Sequence, residues 1–282
     1  MASYADARHD AGAWLVRIED VDLPRARPRA ADDILHALER YGFEWDGPVW
    51  RQSSRSGAYE AGLARLAERG LVYACVCTRH DLAAAPTGRI GERVYPGTCR
   101  SGIGDHVDRA AERMRRAASR VRVPSAPVEF TDRIHGRQQQ RLDEDVGDFV
   151  VRRSDGLFGY QLAVVVDDAA QRITDVVRGA DLLASTPRQI FLQRALGLPT
   201  PRYLHVPVAV DARGRKLSKQ TAATALPAKP VSALHAAWRF LGQRAPTDRA
   251  CPAPEFWAWA IANWHADRIP ATATRPAPTA IV

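Results

Sequence analysis

Short runs rich in Val and Ile recur along this chain between stretches with helical spacing of apolar residues. This alternation limits the fold more than any other feature. Extended runs are predicted at Trp14–Ile18, Asp148–Val151, Leu162–Val166, Ile173–Val177 and His205–Val210. Helices are predicted over 29–41, where Ile34, Leu38 and Tyr41 share a face before Gly42, and over 56–69, where Tyr59, Leu63 and Leu66 do so before Gly70. A third takes Ser185 or Thr186 as N-cap, carries Pro187 in its first turn and stops near Gly197. Strands alternating with helices point to an α/β domain on an open sheet. Such sheets bind ligands beyond the carboxyl ends of their strands, which singles out Glu19-Asp20-Val21-Asp22 after the first run.

At 282 residues the chain suits one large domain with an insertion rather than two large domains. The character changes from Leu71 to about Arg141, where a cysteine cluster, Pro96-Gly97 and an Arg-rich piece (Asp108–Arg122) replace the alternation. The expected division is a first sheet half over 1–70, an insertion over 71–141, a second half over 142–222, and a small helical part with a tail over 223–282. The Arg-rich piece reads as a solvated helix, with the border of an RNA groove as the alternative. Two late helices, about 230–242 and 253–267, gather Trp257, Trp259 and Trp264, while the Pro-, Ala- and Thr-rich tail from Pro270 is expected to fray. No apolar run approaches the roughly 18 residues of a membrane span. The first ten residues carry charge too early for an export signal.

The net charge of +8 favours polyanionic partners. How it is distributed says more: only three of the 40 basic residues are lysine, and two of these, Lys216 and Lys219, sit in Arg215-Lys216-Leu217-Ser218-Lys219. Compact ammonium groups in a loop suit a triphosphate whose charge shifts as pyrophosphate leaves, while an exposed basic turn is the plain alternative. Four cysteines are few for a disulfide scaffold, and Cys75, Cys77 and Cys99 fall in one 25-residue window, leaving Cys251 apart. This suggests a tetrahedral metal site in a reducing, cytoplasmic setting. Chemistry alone offers His80 as the fourth ligand, and three buried unligated thiols remain the simpler alternative.

Four segments in register carry a resemblance: Leu15-Val-Arg-Ile-Glu-Asp20, Val176-Val-Arg-Gly-Ala-Asp181, Ser185-Thr-Pro-Arg-Gln189 and Lys216-Leu-Ser-Lys-Gln220. From about Tyr4 to about Gly242 the chain resembles the class I glutamyl-tRNA synthetases, its last segment standing for their K-M-S-K-S loop. It is most similar to their short paralogues, the glutamyl-Q tRNA(Asp) synthetases, because only about sixty residues follow Lys219. The resemblance implies a doubly wound Rossmann sheet with a zinc-bearing insertion and a C-terminal helical part, working as a cytoplasmic monomer. It implies ATP with Mg(2+), glutamate, and tRNA(Asp) containing queuosine as substrates. Glutamate would be activated as its adenylate and then transferred to a hydroxyl on the cyclopentene ring of queuosine, in the anticodon wobble position. In this reading Glu19 holds the substrate ammonium, Tyr160 lines its pocket and Arg178 pairs with a substrate carboxylate. Lys219 touches ATP phosphate with Lys216 in support, and Cys75, Cys77, Tyr95 and Cys99 hold zinc. Without the resemblance, Tyr160 reads as core packing and Arg178 as a structural ion-pair partner.

One family element has no counterpart. The first strand, the H-I-G-H loop and an amino-terminal arginine of the amino-acid pocket would precede Met1, and Met1-Ala-Ser-Tyr resembles the later part of the first Rossmann helix. The expectation is a start upstream of this Met, with gene decay as the alternative, and a chain beginning here should be poorly soluble or nearly inactive in ATP–pyrophosphate exchange. Two other functions stay open: a truncated glutamyl-tRNA synthetase charging the tRNA 3′ end, and a catalytically dead tRNA-binding protein.

Overall fold

The computed structural model describes residues 1–22, 29–103, 117–217, 226–227, 230–246 and 252–278. Along the chain, α1 (Ala2–His9) leads to β1 (Arg17–Ile18), α2 (Ala30–Arg40), β2 (Trp50–Arg51) and α3 (Ser56–Glu68). Strands β3 (Val72–Cys75) and β4 (Ala118–Val121) follow, then the hairpin β5 (Val128–Asp132) and β6 (Gly136–Gln140), the short α4 (Leu142–Asp145) and β7 (Phe149–Arg152). The second half comprises α5 (Tyr160–Ala170), β8 (Asp175–Gly179), α6 (Thr186–Leu196), β9 (Arg202–Val206) and β10 (Val208–Val210). Helices α7 (Pro230–Phe240) and α8 (Ala253–Ala262) and strand β11 (Thr274–Pro276) complete it.

The largest sheet runs β6-β5-β9-β8, with β8, β9 and β5 parallel and β6 antiparallel to β5. Alternate residues of its central strands point to opposite faces. Val176 and Tyr203 join a core with Tyr59, Leu66, Leu162 and Ile190 from α3, α5 and α6. Val177 and Leu204 join a second core with Tyr4, Leu234, Trp238 and Phe256 from α1, α7 and α8. Helices thus cover both faces, as a parallel sheet requires and as the doubly wound expectation holds. Strand β1 pairs in parallel only with β2, and β8 only with β9, among the described residues. The free edges of β1 and β8 both line one cleft, over Ala13–Arg17 and Ile173–Arg178.

Several local expectations change. Leu162–Val166 is helix, not strand: α5 is buried almost all round between its neighbours, and a run with no polar face has no period to read. The run from His205 divides at Pro207, whose missing N–H interrupts the ladder, into β9 and β10. Within Trp14–Ile18 only Arg17 and Ile18 form a strand. The end of the Arg-rich piece is strand β4, between β3 and β7; residues 104–116 lie outside the described part. The tail is not frayed throughout, since Thr274–Pro276 pairs in parallel with Val208–Val210. Helix α2 buries no residue fully: Ile34 is 49% exposed, beside an apolar surface pocket shared with Leu38, Tyr41 and Leu234.

A cleft between two strand edges and a nearby cluster of thiols

The cleft between β1 and β8 has a volume of about 840 Å³, and three of the elements around it supply the groups of interest. Strand β1 and the residues after it give Arg17 and Glu19, α5 gives Tyr160 and Asp168, and β8 gives Arg178. The three residues assigned to glutamate, Glu19, Tyr160 and Arg178, therefore meet at one cavity. Arg17 organises the floor: its guanidinium donates to Asp168 Oδ1 at 2.7 Å and Gln171 Oε1 at 2.8 Å, and reaches Glu19 Oε1 at 3.4 Å. Burial pushes the Glu19 carboxyl upward against the pull of Arg17, and Asp168 is raised by burial in the same way. The Tyr160 hydroxyl is also raised, by burial first and then by the Glu19 charge. Asp20 serves structure instead: its two oxygens accept the N–H and O–H of Ser53 at 2.9 and 2.8 Å, tying the end of β1 to the turn after β2.

Arg178 is held from behind. Its Nε donates to His205 Nε2 at 3.1 Å and its Nη2 to Thr186 Oγ1 at 2.9 Å, with His205 directly opposite on β9. His205 Nδ1 lies 2.7 Å from Asp132 Oδ2, and both side chains are fully buried. Thr186, expected as a possible N-cap, makes no side-chain cap and spends its hydroxyl on Arg178. Lys216 is engaged as well, its Nζ 2.5 Å from Asp181 Oδ2 beyond the end of β8. Lys219 and Cys251 lie outside the described residues.

The sulfurs of Cys75, Cys77 and Cys99 lie within 4.8 Å of one another, with Cys77 and Cys99 3.6 Å apart. A tetrahedral zinc with Zn–S near 2.3 Å would separate its sulfurs by about 3.8 Å, so the set fits a metal ion. Tyr95 Oη completes the group at 3.4 Å from Cys75 and 3.7 Å from Cys77, while His80 is exposed and outside it. Arg120, absent from the sequence reading, donates to Cys75 Sγ at 3.2 Å and stacks over the Tyr95 ring at 3.8 Å. Burial pushes the Cys75 thiol up, but Tyr95, the Cys77 N–H and Arg120 outweigh it and the net shift is downward. Cys77, half-buried, is pushed up to about 12, by desolvation first and then by the Cys99 and Cys75 sulfurs beside it.

Sequence reasoning also passed over Arg17, Asp168, Asp132 and His205. One signal was available: a carboxylate or imidazole inside a β-branched run needs a partner, and Asp132, Asp168 and His205 all end or interrupt such runs.

The family model for class I tRNA synthetases (E and Q), catalytic domain, matches residues 1–237. A glutamyl-Q tRNA(Asp) synthetase from Thiobacillus denitrificans is 52% identical, the alignment covering 99% of this chain and 91% of that one. The protein of the same name from Dechloromonas aromatica is 54% identical over 96% of this chain and 89% of its own length. The crystal structure of glutamate-tRNA synthetase from Elizabethkingia anophelis superposes with a TM-score of 0.78 at 22% identity, and this chain spans 63% of its length. The shared fold, the family match and the identity to these relatives establish that the chain belongs to the class I tRNA synthetases for glutamate and glutamine, among relatives named glutamyl-Q tRNA(Asp) synthetase.

Proposed function

We propose that this chain is an ATP-dependent ligase that activates glutamate and transfers it to queuosine in the anticodon wobble position of tRNA(Asp). The substrate α-carboxylate attacks the α-phosphate of ATP-Mg and pyrophosphate leaves; a hydroxyl of the queuosine ring then attacks the acyl carbon of the mixed anhydride, forming the ester and releasing AMP. Glu19 takes the ammonium, Arg178 a carboxylate through its planar fork, and Tyr160 closes the pocket wall. Lys219, with Lys216 released from Asp181, steadies the phosphate charge that develops as pyrophosphate departs. Cys75, Cys77, Cys99 and Tyr95 hold zinc, which closes the insertion as a structural ion. The division at residues 70, 141 and 222, a monomeric state and a cytoplasmic setting belong to the same reading; no helix of the described residues is long and apolar enough to cross a membrane.

One observation carries the proposal: Glu19, Tyr160 and Arg178 share one cleft in a chain half identical to relatives bearing that name. The test is transfer of labelled glutamate, with stoichiometric enzyme, to tRNA(Asp) with and without queuosine. Base-labile label on the queuosine-containing tRNA alone is the expected result. Equal loading of both tRNAs would favour charging of the 3′ end, and tRNA binding indifferent to ATP and glutamate would favour a dead module.

A further inference from the structure

Asp132 and His205 cannot touch a substrate, because both side chains are fully buried behind the cleft wall. Their bonding pattern nevertheless fixes a group that can. Asp132 Oδ1 accepts the N–H groups of Ile134 and His135, each at 2.9 Å, which leaves Oδ2 for the imidazole. A carboxylate only accepts, so His205 Nδ1 must carry the proton and Nε2 must be a bare acceptor. That acceptor faces Arg178 Nε–H at 3.1 Å, with Thr186 Oγ1 3.3 Å away. Nε and Nη2 form one edge of the guanidinium, and both are occupied by His205 and Thr186. The terminal Nη1/Nη2 edge remains for the cleft that Arg178 lines.

We infer that Asp132 and His205 are positioning residues for the amino-acid substrate: Asp132 selects the Nδ1–H tautomer of His205, and the bare Nε2 sets Arg178 so that its terminal edge receives the substrate carboxylate two-pronged. This rests on the reading of Arg178 as the carboxylate holder. The tautomer matters because the other one, or the imidazolium, would set N–H against N–H. The charged and titratable groups around the ring are Asp132 from β5, Arg178 from β8, His135 from the turn after β5 and Tyr203 on its own strand. Burial, ahead of the opposing pull of Asp132, lowers the imidazole below the usual histidine range, in keeping with a ring that stays neutral.

Two measurements test this. Nitrogen-15 NMR of histidine-labelled protein should show His205 with Nδ1 protonated and Nε2 unprotonated; a protonated Nε2 overturns the proposal whatever the substrate. Calorimetric titration with glutamate then compares variants. In Asp132→Asn the backbone N–H groups hold the amide oxygen, so the amide N–H faces Nδ1 and the proton is driven to Nε2. Glutamate binding should weaken about 10²-fold, the scale of a misplaced binding group. His205→Leu should match it, whereas His205→Gln, which restores an acceptor near the Nε2 position, should stay within about 10-fold of the parent. Unchanged binding in Asp132→Asn and His205→Leu, with binding lost in Arg178→Ala, overturns the positioning role and leaves the carboxylate reading intact. Full binding in Arg178→Ala overturns both.

Discussion

The thiol cluster and the carboxylate-lined cleft both gather polar groups out of water, but they are finished in opposite ways. In the cleft, cations meet anions or neutral acceptors: Arg17 sits between Asp168 and Glu19, while Arg178 donates to the neutral His205 and Thr186. In the cluster, three sulfurs and a phenol converge on one another, and Arg120 reaches Cys75. Like groups that crowd together lack an electrophile at their centre, whereas a cleft of matched pairs is complete and exchangeable. The Arg17–Glu19 contact is the long one at 3.4 Å, and Glu19 remains 41% exposed, which suits a carboxylate that swaps its partner for a substrate ammonium. Under the proposed function, the difference separates a site that would retain a group from one that would release it.

The sharpest break in this comparison comes from Arg178→Ala, which should cut glutamate affinity about 10²–10³-fold, read by calorimetry. The unfolding temperature should move far less, because Arg178 faces an open cleft rather than a core. A large loss of stability with unaltered glutamate binding would make Arg178 a strut and dissolve the distinction. Metal removal should produce the converse. Elemental analysis should find about one zinc per chain, and a chelator should lower the unfolding temperature by about 5–10 °C, the effect of losing a ligand held near 100-fold over its dissociation constant. Glutamate binding should change little. Metal-free protein of undiminished stability would reduce the cluster to three packed thiols.

The same contrast explains what the sequence disclosed. The three thiols sit within 25 residues, so spacing alone grouped them; Tyr95 came only from the resemblance, chemistry alone having offered His80, and Arg120, which arrives on β4 from outside that window, escaped notice. The cleft is assembled from positions between 3 and 202, brought together by sheet order and helix packing that no local pattern encodes. Its place after a strand singled out Glu19, and resemblance gave its role and those of Tyr160 and Arg178; nothing in the spacing located Asp132, His205 or Asp168. Helix α5 marks the same limit at the level of fold. Its β-branched run is buried almost all round, so the amphipathic period that identified α3 was missing and the run was read as a strand.

A smaller effect distinguishes the two kinds of tyrosine at these sites. Tyr95→Phe should retain zinc but bind it about 10-fold more weakly, by competition with a chromophoric chelator, since a neutral phenol adds less than a thiolate. Tyr160→Phe should leave zinc untouched. The cleft should also respond to acid sooner than an ordinary carboxylate site. Burial raises Glu19, so its protonated form appears earlier than for an ordinary carboxylate as pH falls, and under the proposed function the charge that would hold the ammonium goes with it. Glutamate affinity should therefore begin to decline on acidification at a higher pH than an ordinary glutamate would produce. Affinity flat on acidification would detach Glu19 from the ammonium.

The finest test uses two adjacent carboxylates on α5. Successive helix residues point about 100° apart, so Asp168 faces Arg17 and the cleft while Asp167 turns to α3. Asp167 is fully buried and accepts from Tyr59 Oη at 2.6 Å, Gln52 Nε2 at 3.0 Å and Arg55 Nε at 2.5 Å. Tyr59→Phe removes one of three donors and leaves the charge paired, so it should cost about 1 kcal/mol, near 2–4 °C in a chain of this size. Glutamate binding should not change, because the lost bond faces α3 rather than Arg17 and the cleft. A matching loss of affinity would mean that α5 transmits packing strain into the cleft, and that the wall holding Asp168 is less rigid than its two ion pairs imply.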